Sequence, residues 1–147
     1  MKFLRQIVSF GATIEDALHI YKIYVRSALE FSSSVWHTSL TKENEEDLER
    51  IQKSAFRVIL GNEYTSYNEA LDILQMETLK ERRQILFQNF SHKSLKLVQM
   101  RNIIKEKNKE HIMNTRNKET FEVTRTNTER FERCTRIRMQ KFLNEFY

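Results

Sequence analysis

The sequence predicts an all-α protein on three observations. Proline is absent and glycine occurs only at Gly11 and Gly61, whereas sheet proteins use turn residues freely. Apolar residues recur at three- and four-residue steps over long stretches, the period of a helix with one buried face. Helix-start signals also recur: Thr13 with Asp16, Ser66 with Glu69 and Thr78 with Glu81. In each, a hydroxyl and a carboxylate three residues on satisfy free amides of a first helical turn. The expected architecture is a small helical bundle with a long basic helix and an extended C-terminal arm ending in a short helix. A chain of 147 residues can close a hydrophobic core unaided.

The elements follow in order. Residues 2–10 form a short first helix, ended near Gly11. The Thr13 box opens a longer one, in which Ile14, Ala17, Leu18, Tyr21, Tyr24, Val25, Ala28 and Leu29 keep the helical step; it weakens at Ser32–Ser34. Trp36 follows as a core anchor. The acidic stretch "TKENEED" complements the positive end of the next helix's dipole. That helix continues as "LERIQKSAFRVILG". Leu48, Ile51, Ala55, Val58 and Ile59 fall within one arc, Arg50, Lys53 and Arg57 on the opposite side, and Gly61 supplies the stop. A short helix follows the Ser66 box. The Thr78 box opens the longest pattern, whose seam is Leu79, Leu86, Phe90, Leu97 and Ile104, accompanied by Arg82, Lys93, Lys96 and Arg101.

Beyond Ile104 the seam fades into a polar, Asn/Thr-rich stretch that is hard to bury. The expected organisation is therefore a helical domain over 1–106, a linker or extended arm over 107–128 and a C-terminal helical segment over 129–147. That last segment offers Ile137, Met139, Phe142, Leu143 and Phe146 for docking.

Charge is unevenly spread. Residues 1–79 hold 8 Lys/Arg and 12 Asp/Glu, net −4, while residues 80–147 hold 17 and 8, net +9. Such asymmetry points either to a polyanion or to an ordinary solvated surface. Three features are binding candidates: the Arg50, Lys53, Arg57 stripe; Arg82 and Arg83 in "KERRQ"; and the arm with Arg116, Arg125, Arg130, Arg133, Arg136 and Arg138. Guanidinium groups take phosphate oxygens bidentately, but the first two features could equally be solvated faces or weak surface ion pairs.

Chemistry is harder to find. His19, His37, His92 and His111 are scattered, and the single cysteine, Cys134, has no partner for zinc or a disulfide. The two glycines are too far apart for a phosphate loop. Glu43, Glu45, Glu46, Asp47 and Glu49 cluster at a helix start, where the dipole explains them. No catalytic residue, metal site or cofactor is expected. One free cysteine fits a reducing, intracellular compartment. No apolar run approaches the roughly 20 residues of a membrane span, and Arg5 and Gln6 interrupt the apolar start that would make a signal peptide.

The succession "LHIYKIYVRSALEFSSSVW", "LERIQKSAFRVILG" and "SYNEALDILQMETLKERRQILFQNF" resembles the region after the polymerase core in non-LTR retrotransposon reverse transcriptases of the jockey type. The tail "TRTNTERFERCTRIRMQKFLNEF" is similar to the end of those proteins, so the resemblance runs from about Phe3 to Phe146. Its carriers are the Tyr-x-x-x-Arg-Ser helix, Trp36, the Ile-Gln-Lys helix, the Leu-x-x-x-Arg-Arg helix and the Leu-Asn near the terminus. The resemblance implies thumb-like helices that hold RNA or an RNA–DNA duplex, in a truncated copy of such an element. The family's chemistry resides in an endonuclease domain and an Asp-Asp polymerase motif, and no Asp-Asp pair occurs in this chain. Two other readings stay open: a helical module that binds a protein partner or itself through the C-terminal helix, and a decayed fragment without selected function.

Overall fold

The computed structural model describes residues 1–104 and 120–146. Every regular element among them is helical, and the protein is all-α. In chain order the helices are α1 (Lys2–Ser9), α2 (Ile14–Ile20), a π-helical continuation (Tyr21–Arg26) leading into α3 (Ser27–Glu30), α4 (Ser33–Trp36), α5 (Lys42–Leu60), α6 (Tyr67–Ile73), α7 (Leu79–Ser94), α8 (Val98–Ile104), α9 (Glu129–Glu132) and α10 (Thr135–Phe146). Among the described residues, no helix is long and apolar enough to cross a membrane.

The residues group into two compact units. Unit 1 is Met1–Ser33 with Leu40–Arg83, and unit 2 is Ser34–Ser39 with Gln84–Tyr147. This grouping runs on different lines from the expected division at 106 and 128. The reason lies in α10, whose buried face packs with Phe87, Ile104 and Phe121 in one cluster. Phe121, expected in a linker, is only 3% exposed; positions 107–119 of that linker lie outside the described residues.

In unit 1, local signals set the helix ends. Thr13 Oγ1 accepts from the Asp16 amide at 3.1 Å, Thr41 Oγ1 from Asn44 at 3.3 Å and Ser66 Oγ from Glu69 at 3.2 Å. At α7 the box is reciprocal: the Glu81 amide donates to Thr78 Oγ1, and the Thr78 amide donates to Glu81 Oε2. Gly61 ends α5 at φ 52°, a left-handed conformation that glycine adopts without a Cβ penalty. The unit's core is Leu4, Ala17, Tyr21, Ala55, Phe56, Ile59, Leu60, Ala70 and Leu74. The buried face of α5 is thus rotated from the expected arc. Gln52, Ala55, Phe56 and Ile59 are buried, while Ile51 is 37% exposed.

The long pattern after Thr78 is two helices rather than one. Ser91 Oγ and Ser94 Oγ each donate to the carbonyl four residues back, at 2.8 Å, which competes with the helical ladder. The chain then tightens through Lys96 N to Lys93 O and Leu97 N to Ser94 O, the i→i−3 pattern of a closing turn. The buried line along α7 is Leu79, Arg83, Phe87, Ser91 and Ser94, so Leu86 and Phe90 are flanking residues.

In unit 2, α10 buries Ile137, Met139, Phe142 and Leu143, leaving Phe146 61% exposed. Phe142 is therefore used by the unit's own core and is not on offer to a partner. Trp36, expected as a core anchor, is half-buried. Polar side chains of α10 reach two neighbouring backbones. Gln140 Nε2 donates to Ile104 O at 2.6 Å. Asn144 accepts from Phe121 N at 2.8 Å and donates to Phe121 O at 3.0 Å, satisfying both groups as a strand partner would.

Candidate nucleic-acid interface

The outer face of α5 carries the sequence-predicted stripe. Arg50, Lys53 and Arg57 are all exposed, as 100° per residue requires once Gln52, Phe56 and Ile59 face inward. Their environments differ. Arg50 is engaged with Asp47, Nη1 to Oδ1 at 2.7 Å, while its side chain stays 73% accessible. The Lys53 ammonium stands 5.0 Å from the centre of the Tyr67 ring. The Arg57 guanidinium stands 5.3 Å from the centre of the Tyr64 ring. Both fall within the range of cation–π attraction. Among the described residues, neither Lys53 nor Arg57 has a carboxylate at ion-pair distance.

The two rings are themselves held. Gly61 turns the chain back, and the Tyr64 amide donates to Gly61 O at 3.3 Å. The Tyr67 hydroxyl donates to Glu49 Oε2 at 2.6 Å and accepts from Gln52 Nε2 at 3.0 Å. Gln52 is fully buried, donates also to Glu77 O at 2.9 Å and accepts from the Tyr21 hydroxyl at 2.7 Å. Glu49 in turn accepts from the Lys80 amide at 2.8 Å, adding a carboxylate to the first turn of α7. A chain of hydrogen bonds thus runs from the buried Tyr21 through Gln52 and Tyr67 to Glu49 and the start of α7.

This network has a pH signature. Burial pushes the Tyr21 phenol well above its ordinary range, with Glu30 and Glu49 adding to the rise and Arg26 opposing it. The Tyr67 phenol is raised too, by burial first and then by its bond to Glu49. Below about pH 10 the phenols stay protonated in the folded and the unfolded chain, and stability is untouched. Above it the unfolded chain loses its phenol protons first. For the fully buried Tyr21 alone, stability should then fall by about 1.4 kcal/mol per pH unit. Urea midpoints at pH 9, 10 and 11 check this; a midpoint level to pH 11 would contradict it.

Arg82 and Arg83, the second predicted pair, do not face solvent together. Arg82 Nε lies 2.5 Å from Glu30 Oε1. The N–H is not aligned on that oxygen, so the contact is ionic rather than a directed hydrogen bond. Arg26 Nε approaches the same oxygen at 3.9 Å. Arg83 corrects the expectation outright: it is 1% exposed, and its Nε and Nη2 are buried without a hydrogen-bond partner. It sits four residues after Leu79 and four before Phe87, on the inward line of α7, so it cannot touch a phosphate from there. Burial lowers its pKa, against the pull of Glu49, Glu45 and Glu30.

Of the arm's arginines, Arg125, Arg130 and Arg138 are exposed, Arg133 pairs with Glu129, and Arg116 lies outside the described residues. Unit 1 carries 11 Lys/Arg and 13 Asp/Glu, net −2; unit 2 carries 14 and 7, net +7. The α5 stripe therefore belongs to the acidic unit. Beside it an open cleft of about 650 Å³ is lined by Lys42, Glu45, Glu46, Glu49, Arg50, Lys53 and Lys80. Its mixed charge, with Lys80 Nζ 3.1 Å from Glu45, makes it a poor phosphate cradle. The positive ground is the Lys53–Arg57 end of the stripe.

Sequence reasoning missed Gln52, Tyr64 and Tyr67. The signal for Gln52 was its phase, one turn before Phe56 and two before Ile59. Tyr64 and Tyr67 are brought to the stripe by the turn at Gly61, which periodicity within α5 does not describe. No family model, curated protein or solved structure matches the chain.

Proposed function

We propose that the chain is a non-catalytic, thumb-like module corresponding to the region after the polymerase core of jockey-type non-LTR retrotransposon reverse transcriptases. Its α5 contacts the phosphate backbone of an RNA or an RNA–DNA duplex. The observation that supports this best is the pair Lys53 and Arg57. They are exposed, one turn apart, each over a tyrosine ring and each without a carboxylate partner among the described residues. Arg50 adds a third, solvent-accessible charge to the same face. Arg82 is occupied by Glu30, and Arg83 takes no part.

The test is titration of the full chain into a fluorescein-labelled RNA–DNA duplex between 25 and 200 mM salt. Phosphate contacts release counterions, so log affinity should fall linearly with log salt, by about 0.7–0.9 per phosphate engaged. Three contacts from Arg50, Lys53 and Arg57 predict a slope of about −2 to −3. No measurable binding at 25 mM salt, or binding indifferent to salt, would sink the reading.

A further inference from the structure

We infer that Tyr64 and Tyr67 are positioning residues for nucleic-acid binding, holding Arg57 and Lys53 in place before the ligand arrives; this rests on the reading just proposed. A long cationic side chain on a helix surface samples many rotamers, and fixing it on a phosphate costs conformational entropy. Here each cation has an aromatic face within about 5 Å, and each face is fixed. Tyr67 is tied through its hydroxyl to Glu49 and Gln52. Tyr64 follows the turn at Gly61 and packs against the unit 1 core.

An aromatic ring suits this task where a carboxylate does not. A guanidinium paired with Asp or Glu gives part of its N–H fork to that partner, as Arg50 gives Nη1 to Asp47 Oδ1. Contact with a π-face is made across the guanidinium plane and leaves the in-plane fork free for phosphate oxygens. For Arg57 the ring thus narrows the rotamers without occupying the fork, and the Lys53 ammonium keeps its rotatable donors beside the Tyr67 face. Lys53 and Arg57, four residues apart, lie about 6 Å apart along the helix axis. The pair therefore presents two oriented donors along one backbone.

Position and charge leave different marks on a salt titration. Removing a charge removes a contact, so Arg57→Gln should lower the salt slope by about 1. Removing the ring leaves the contact but adds an ordering cost. Tyr64→Leu should therefore weaken duplex affinity about two- to tenfold at every salt concentration with the slope unchanged. Tyr64→Phe, which keeps the face, should bind like the parent. Far-UV circular dichroism and urea midpoints check that each variant folds, and Tyr67→Leu is the second variant if Tyr64→Leu does not.

The inference is overturned if the leucine variant binds like the parent, or if Tyr64→Phe is impaired as much as Tyr64→Leu. It is equally overturned if Tyr64→Leu loses as much slope as Arg57→Gln, because the contact would then be absent rather than costlier. A parent chain that does not bind the duplex at 25 mM salt overturns the underlying reading and this inference together. A parent that binds with the expected slope while the ring variants behave as controls overturns the inference alone.

Discussion

Replacing Gln52 with leucine should destabilise unit 1 by about 2–3 kcal/mol, although leucine is nearly the same size and better suited to an apolar core. Gln52 is fully buried between Tyr21, Tyr67 and the Glu77 carbonyl. Leucine removes the acceptor of the Tyr21 hydroxyl, which is itself fully buried, and a buried donor left unmade costs about 1–3 kcal/mol. The Tyr67 hydroxyl keeps Glu49, and Glu77 is exposed, so its carbonyl can turn to water. The orphaned Tyr21 hydroxyl therefore dominates, and a double-mutant cycle isolates it. Tyr21→Phe alone should cost about 1 kcal/mol, and the double variant less than the sum of the singles by at least about 1 kcal/mol. Four of the five tyrosines lie in unit 1 and the single Trp36 in unit 2, so tyrosine and tryptophan emission report the two units separately in urea. Additive losses would show that Gln52 acts through packing rather than through Tyr21.

The difference between Gln52 and its neighbours shows what was readable in the sequence. Helix starts were legible because they are local: a hydroxyl accepts from an amide three residues on where a helix begins, and Thr13, Ser66 and Thr78 accept from Asp16, Glu69 and Glu81 in this way. Gly61 was legible for the same reason. The absence of turn residues made the all-α class legible as well. Which arc of α5 faces inward was not. Ile51 and Phe56 are both large and apolar, and only the tertiary partners, Tyr21 and Tyr67 against Phe56, choose between them. A glutamine in the winning arc reads as surface until its three partners, each from a different segment, are assembled around it.

The same limit shaped the binding stripe. Arg50, Lys53 and Arg57 are exposed as their phase required, because three like side chains on one arc have a common fate. Arg82 and Arg83 are adjacent, 100° apart around α7, and a charge count treats them alike. The fold does not: one meets Glu30 and the other turns inward between Leu79 and Phe87. The break between α7 and α8 was equally hidden, since it lies in the i→i−3 turn that Lys96 N and Leu97 N close on Lys93 and Ser94, which hydrophobic periodicity does not register.

Arg83→Met should stabilise the protein, by about 1–3 kcal/mol in urea, while leaving duplex affinity and its salt slope unchanged. The guanidinium is 1% exposed and two of its nitrogens have no hydrogen-bond partner, so it bears a desolvation cost that its neighbours offset only at a distance. Those neighbours do not depend on it. Glu30 keeps Arg82 and Arg26, Glu45 keeps Lys80, and Glu49 keeps the Tyr67 hydroxyl and the Lys80 amide. Methionine fills a similar length with an unbranched apolar chain and needs no partner, so the substitution removes a buried charge without stranding another. This is the situation in which an apolar replacement is neutral to stabilising. A loss of 3 kcal/mol or more would instead mean that the attraction of Glu49, Glu45 and Glu30 outweighs the burial of the charge, and that Arg83 ties α7 to α5. Reduced duplex binding by a well-folded Arg83→Met chain would return Arg83 to the interface from which its burial removes it.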